Sequence, residues 1–187
     1  MQTRMRYAVT ANGTIVRAEG EISERSAQLD PVFAKPFADL DLIGQNVFSG
    51  IRGAEVLQVY ALLHQRILQD GRPVLFPFRC DGPAVRREML MSMSRDNDFI
   101  QYESVVVREV QRNRPAPVPT ADAIFFIKLC SSCQRYRFPF ARVWKDIDEL
   151  GQEPDLPQQF RYAHTFCHGC YRHFMEKVVP DRTFVRS

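Results

Sequence analysis

Between residues 54 and 69 the apolar positions Val56, Tyr60, Leu63 and Ile67 recur at helical spacing, with Leu57, Val59 and Leu68 widening the stripe. This pattern predicts one helix with a single buried face, and Gly71 suits the left-handed position that closes it. Downstream the period drops to two. Val74 to Cys80 reads as a strand, Asp81-Gly82-Pro83 as a turn, and Met89, Met91 and Met93 share one face of a second strand running from Arg87. After a tight turn at Asp96-Asn97-Asp98, valine-rich Ile100 to Val110 predicts a third strand. Upstream, Tyr7-Ala8-Val9-Thr10 and Thr14-Ile15-Val16-Arg17 flank Asn12-Gly13, a hairpin signal because both turn positions tolerate positive φ. The mixed stretch from Ile22 to Asp41 carries Pro31 and Pro36 and predicts short helices and loops, with Phe33, Phe37 and Leu40 turned inward.

Two strands, helices, then three antiparallel strands imply an α+β fold with helices on one face of a sheet. Prolines at 115, 117 and 119 then favour a stiff extended linker. The expected organisation is a first domain over 1–112, a linker over 113–120 and a small module over 121–187. Within the module, Ile124 to Leu129 predicts a strand, Trp144 to Leu150 a helix ending at Gly151, Phe160 to Phe166 an approach segment, and Tyr171 to Val179 a helix stopped by Pro180.

The 187 residues, 45% hydrophobic and 25% charged, describe an ordinary globular chain. No apolar run approaches the roughly 20 residues needed to span a bilayer, and Met1 to Tyr7 lacks a signal-peptide core. A cytoplasmic protein without membrane partners is the expectation. The net charge of +3, with arginine spread along the chain, does not favour nucleic acid by itself.

Cysteine changes the picture most. Cys130 and Cys133 form one Cys-x-x-Cys pair, and Cys167 and Cys170 another. Two such knuckles supply the four soft ligands of a closed tetrahedral zinc site, structural rather than catalytic because no position is left for water. The 134–166 interval exceeds usual zinc-ribbon spacing, so an insertion must fold between the knuckles. A redox dithiol needs only one pair, and disulfides need an oxidising compartment. His164 and His168 flank Cys167 and are the alternative ligands. So small a module has little core of its own, and a metal would contribute much of its folding energy.

The element order of the first half resembles a PAS domain, the common bacterial sensory module. Gly71-Arg72-Pro73-Val74, then Phe76-Pro77-Phe78-Arg79-Cys80-Asp81 with Pro83, Arg86 and Arg87, is similar to a subgroup of short bacterial PAS proteins with a Pro-Phe-Arg-Cys-Asp segment in the third strand. Similar proteins carry a tail of two Cys-x-x-Cys pairs. Leu129 to Arg135, Trp144, His164 to Cys167, and Cys170-Tyr171 match it in type and order, so the resemblance spans most of the chain. The chain departs at Ser132, where similar tails often have tryptophan, at Thr165, where they have glycine after histidine, and at His168, where they have proline. No departure removes a thiolate. The resemblance implies a sensory or regulatory role and fixes no ligand.

PAS domains can hold flavin, haem or a small metabolite. The light-sensing flavin segment Asn-Cys-Arg-Phe-Leu is absent from the sequence, and Cys80 lies in a predicted strand, where a lone cysteine is usually a small buried hydrophobe. Arg79 beside it could lower its pKa. His64, bordering the helical stripe, is the candidate haem ligand, although a histidine there is more often packed. The methionine row suits a core or an apolar cavity. Phosphate-binding, nucleophile-elbow and zinc-protease motifs are missing, so the expectation is a non-enzyme that relays by contact, with a signalling-protein partner and homodimerisation through the PAS domain. The competing readings are a zinc-dependent nucleic-acid-binding regulator using Arg135, Arg137, Arg142, Arg161 and Arg172, and a haem or redox sensor.

Overall fold

The computed structural model describes residues 2–30 and 41–178; Phe33, Phe37 and Leu40 lie outside them. The first hairpin pairs β1 (Arg4–Val9) with β2 (Ile15–Glu21). Its loop is longer than a two-residue Asn-Gly turn. Gly13 N–H donates to Thr10 O at 2.9 Å, and Gly13 alone takes positive φ, at 87°, while Asn12 does not. The Asn12 side chain instead accepts bonds from Thr14, so an Asx-type contact replaces the expected turn.

A short helix α1 (Glu24–Leu29) follows, capped by the Ser23 hydroxyl. The amphipathic stretch forms α2 (Ala54–Asp70), burying Val56, Val59, Leu63, His64 and Ile67 while Leu57 is exposed. Gly71 ends it in the left-handed conformation, φ 67°, its N–H donating to Ile67 O. Three antiparallel strands complete the domain: β3 (Val74–Arg79), β4 (Val85–Asp96) and β5 (Phe99–Gln111). Asn97 turns the last hairpin with φ 55°.

These strands form one antiparallel sheet in the order β2-β1-β5-β4-β3, with α2 on one face. Register explains the core. Tyr7, Tyr102, Met93 and Val74 stand in one row across four strands, and Met5, Ser104, Met91 and Phe76 in the next. Met89, Met91 and Met93 are all buried. Pro77 is tolerated because β3 is an edge strand. Beyond a bulge at Glu88/Met89 the same face carries a buried ion pair, Arg87 Nε to Glu109 Oε1 at 2.7 Å. Ser26 Oγ donates to the other Glu109 oxygen at 2.6 Å, which fastens α1 to the sheet.

Residues 113–120 form no regular element, and Ala116 N–H donates to Pro83 O at 2.7 Å. A second sheet follows in the order β8-β7-β6-β9: β6 (Phe126–Cys130), β7 (Arg135–Arg137), β8 (Lys145–Asp146) and β9 (Arg161–Thr165). Its inner face packs Ile127, Leu129 and Tyr136 against Ile147, Leu150 and Phe160. The expected Trp144–Leu150 helix is replaced by β8 and a 3-10 turn at Ile147–Gln152. The reason is local: Asp146 and Glu149 form a reciprocal capping box, so helical geometry cannot begin before residue 147. The last helix, α3 (His168–Val178), starts three residues earlier than the pattern around Tyr171 suggests.

Candidate metal centre

β6 and β9 run parallel, in register from Phe126↔Arg161 to Cys130↔Thr165. A parallel pair needs a crossover, and here the insertion between the knuckles supplies it with β7, β8 and the 3-10 turn. Both strands therefore end at the same edge of the sheet, and each delivers one knuckle there. Cys130 is the last residue of β6, and the chain then turns through Cys133. Gln134 closes the turn with φ 56°, its N–H donating to Cys130 O at 3.0 Å. Cys167 precedes α3 and Cys170 sits in its first turn, where Tyr171 N–H donates to Cys167 O.

The ligand atoms of Cys130, Cys133, Cys167 and Cys170 all lie within 4.8 Å of one another. Cys133 Sγ and Cys167 Sγ are 3.8 Å apart, which is the edge, about 3.8 Å, of a tetrahedron with zinc–sulfur bonds of about 2.3 Å. Cys130 and Cys167 are buried and the other two half-buried. Such crowding makes ionisation cooperative in the wrong sense for free thiols. Cys133 and Cys170 donate to the Cys130 sulfur and hold it well below its ordinary pKa, while their own thiols are raised by the same bonds. Four thiolates can coexist at this spacing only around a cation. The donor set fits a soft divalent metal.

The two histidines stand apart from the sulfur cluster. His164 Nδ1 makes a long contact to Ser131 Oγ, 3.5 Å, and His168 is exposed. His64 is buried with both ring nitrogens engaged, Nδ1 with Tyr102 Oη at 3.1 Å and Nε2 with Ala11 O at 3.0 Å. Ligating haem would require breaking one of those bonds inside the core. Cys80 follows β3 and is exposed, unlike the buried hydrophobe the pattern suggests. The Arg79 guanidinium is committed to Asp81 and Asp146.

Arg79 is the residue that spacing does not reveal. Its side chain is 8% exposed, and it bridges the large sheet to the first knuckle and to β8. The backbone N–H donates to Ser132 O at 2.7 Å, Nη1 donates to Cys133 O at 3.3 Å, and Nη1 also donates to Asp146 at 2.9 Å. Asp81 holds the other end of the guanidinium and also binds Arg112, which reaches Asp148. The second knuckle is fastened from α2. Glu55 accepts from Phe166 N–H at 3.1 Å and from the Thr165 hydroxyl. Gly53, φ 91°, lets the helix start meet β9 so closely that a Cβ there would lie 2.1 Å from His164 O. Finally Phe174 of α3, 1% exposed, stacks edge-on against Phe76 of β3 at 4.8 Å and lies 4.9 Å from Phe166. Cys130, Phe166, Cys167 and Phe174 thus share one buried cluster with Val59, Leu63 and Phe76.

The five-stranded antiparallel sheet with helices between its second and third strands is PAS-like. Solved structures that align with just over half of this chain, all at low identity and with TM-scores below 0.5, include the following three. The Cronobacter turicensis RpfR quorum-sensing receptor PAS domain in complex with BDSF aligns with TM-score 0.39 and 13% identity, covering 56% of this chain and 94% of that one. A domain of an HTR-like protein from Haloarcula marismortui aligns with TM-score 0.31 and 18% identity, covering 56% and 98%. The photoactive yellow protein domain from the sensor histidine kinase Ppr of Rhodospirillum centenum aligns with TM-score 0.35 and 15% identity, covering 57% and 85%. No protein-family model and no curated protein matches the sequence.

Proposed function

We propose that this chain is a non-enzymatic sensory or regulatory PAS protein of the cytoplasm, whose C-terminal module is built on a structural zinc ion held by Cys130, Cys133, Cys167 and Cys170. In this reading residues 1–112 form the sensory unit, 113–120 the connector and 121–187 the zinc module, and the output is contact with a signalling protein or a second copy through the PAS sheet. No helix among the described residues is long and apolar enough to cross a membrane. The observation that carries the reading is that the four sulfurs, brought together at the ends of two parallel strands, lie within 4.8 Å of one another, clasped by Arg79 of β3 and Glu55 of α2. A closed four-sulfur site has no open position for substrate, so its chemistry is to hold structure. Because the knuckles rest on β3 and α2, a change in either is felt at the metal module, which is what a contact relay requires.

The test is elemental analysis of freshly purified protein together with native thiol titration. The reading expects one zinc per chain, four thiols blocked until a chelator is added, and a large fall in thermal stability on chelation, since structural zinc contributes about 10–16 kcal/mol in isolated finger peptides. Metal-free protein with four freely reacting thiols and unchanged melting on chelation would refute it. Light scattering and a pull-down from the native host address the partner, and a strict monomer that captures nothing would remove the contact-relay part.

A further inference from the structure

The net charge of +3 conceals a segregation of cations. On the large sheet and its margins most arginines are neutralised: Arg4 and Arg6 by Glu103, Arg87 by Glu109, Arg79 and Arg112 by Asp81. The small sheet is different. Ile127, Leu129 and Tyr136 point to its core, so by alternation Phe126, Lys128, Arg135 and Arg137 stand on the opposite face. Pairing places Lys128 beside Arg137, and Phe126 beside Arg161. Lys128, Arg135 and Arg161 are exposed, and none of these four cations makes an ion pair among the described residues. Asp146, opposite Arg135, has its carboxylate bound to Arg79.

The aromatic positions carry the choice of ligand. The Arg137 guanidinium lies 5.3 Å over the Trp144 ring, and that of Arg161 lies 4.0 Å over Phe126. A guanidinium over an aromatic ring forms a surface on which a base can stack; the Arg161–Phe126 pair is exposed, whereas Arg137 is half-buried with its Nε enclosed and Trp144 packs against the core shared with α2 and β3. Phe140, in the loop between β7 and β8, is 95% exposed, with Arg142 two residues on in the chain. Strands stand about 4.8 Å apart, so cations on three neighbouring strands span a few nucleotides. A duplex groove is read by a helix or ribbon that enters it, whereas a flat sheet offering stacked rings and unpaired cations suits unstacked bases.

We infer that the open face of the small sheet, through Lys128, Arg135, Arg137 and Arg161 with Phe126, and with Phe140 of the adjoining loop, binds single-stranded nucleic acid without strong sequence preference. None of these residues belongs to the four-sulfur cluster.

The experiment is fluorescence anisotropy of labelled 20-nucleotide oligo(dT) and oligo(U) with the full chain as purified, from 50 to 200 mM salt. Four phosphate contacts predict a log–log salt slope of about −3, hence an affinity loss of about fifty-fold over that range. The Lys128→Gln, Arg161→Gln double variant, checked for native circular dichroism, should reduce the slope by about 1.4. Phe140→Ser should weaken binding about tenfold without changing the slope. Arg4→Gln with Arg6→Gln, on the other sheet, should leave binding unchanged. Absence of binding at 50 mM salt would overturn the inference. So would equal affinity for duplex, variants that bind like the parent, or displacement by polyglutamate as effective as by unlabelled strand, which would assign the face to an acidic protein.

Discussion

Replacing Phe174 by alanine tests whether the four-cysteine module and the five-stranded sheet are one cooperative body. Phe174 is buried in the same cluster as Phe76, Leu63, Val59 and the two buried cysteines. Deleting a fully buried phenylalanine ring destabilises by about 3–5 kcal/mol, the transfer loss plus the cavity left behind; the area estimate, about 150–250 Å² at about 25 cal/mol per Å², gives a similar figure. With a urea m-value near 2 kcal/mol per M, the midpoint should fall by about 1.5–2.5 M. The chain offers a convenient pair of probes. Its single tryptophan, Trp144, immediately precedes β8 and packs against the shared cluster from the side of the small sheet, while far-ultraviolet circular dichroism is dominated by the five strands of the large sheet and α2. The two transitions should coincide in the parent and shift together in the variant. Phe174→Leu, which retains most of the volume, should shift both by less than about 1.5 kcal/mol and serves if the alanine variant does not fold. A fluorescence midpoint that moves while the dichroism midpoint stays would refute the shared core, and with it the idea that β3 and α2 sense the metal module.

Three further outcomes follow from the same contacts. Arg79→Met leaves Asp81 and Asp146 without their shared cation and Cys133 O without its donor; it should cost about 3–5 kcal/mol and weaken zinc retention about 10–100-fold against a competing chelator, whereas Arg79→Lys should recover only part of either because it lacks the planar fork. Gly53→Ala places a Cβ 2.1 Å from His164 O at a backbone φ of 91°, so a loss of more than about 1–3 kcal/mol is expected, with faster hydrogen exchange in β9; an unchanged melting temperature would contradict the close approach. His64 is held below its ordinary pKa of 6.5, chiefly by burial, against the raising effect of the Ala11 and Thr10 backbone. A folded pKa below the unfolded one gives stability that is complete above about 6.5 and is lost as pH falls toward the depressed value. His64→Gln should flatten that part of the stability profile with zinc still bound, and an identical profile in both proteins would show that His64 does not set it.

How much of this was written in the chain depends on the range of the interaction concerned. The α2 stripe, the Gly71 stop and the row of Met89, Met91 and Met93 are local patterns, and local geometry alone expresses them. The two Cys-x-x-Cys pairs are equally local, and ligand chemistry supplies the step that joins them. The parallel pairing of β6 with β9 has no such signature, because register between distant strands is set by the core they bury together. The pattern from Trp144 to Leu150 suggests a helix, although the Asp146-x-x-Glu149 box that delays it is visible in sequence. Arg79 and Phe174 were legible only as residue types. An arginine in a strand and a phenylalanine in a tail helix give no sign that each reaches across the chain to the other half. That gap bears on mechanism. The length of the C-terminal segment implies a module with little core of its own that draws much of its folding energy from a metal, yet the small sheet buries its own cluster and the cysteines lie inside a core shared with α2 and β3. On the proposed reading, a metal at the four cysteines and the packing against β3 and α2 would stabilise the same buried mass, so loosening the interior around Phe76 should lower metal affinity, and metal release should loosen that interior in return.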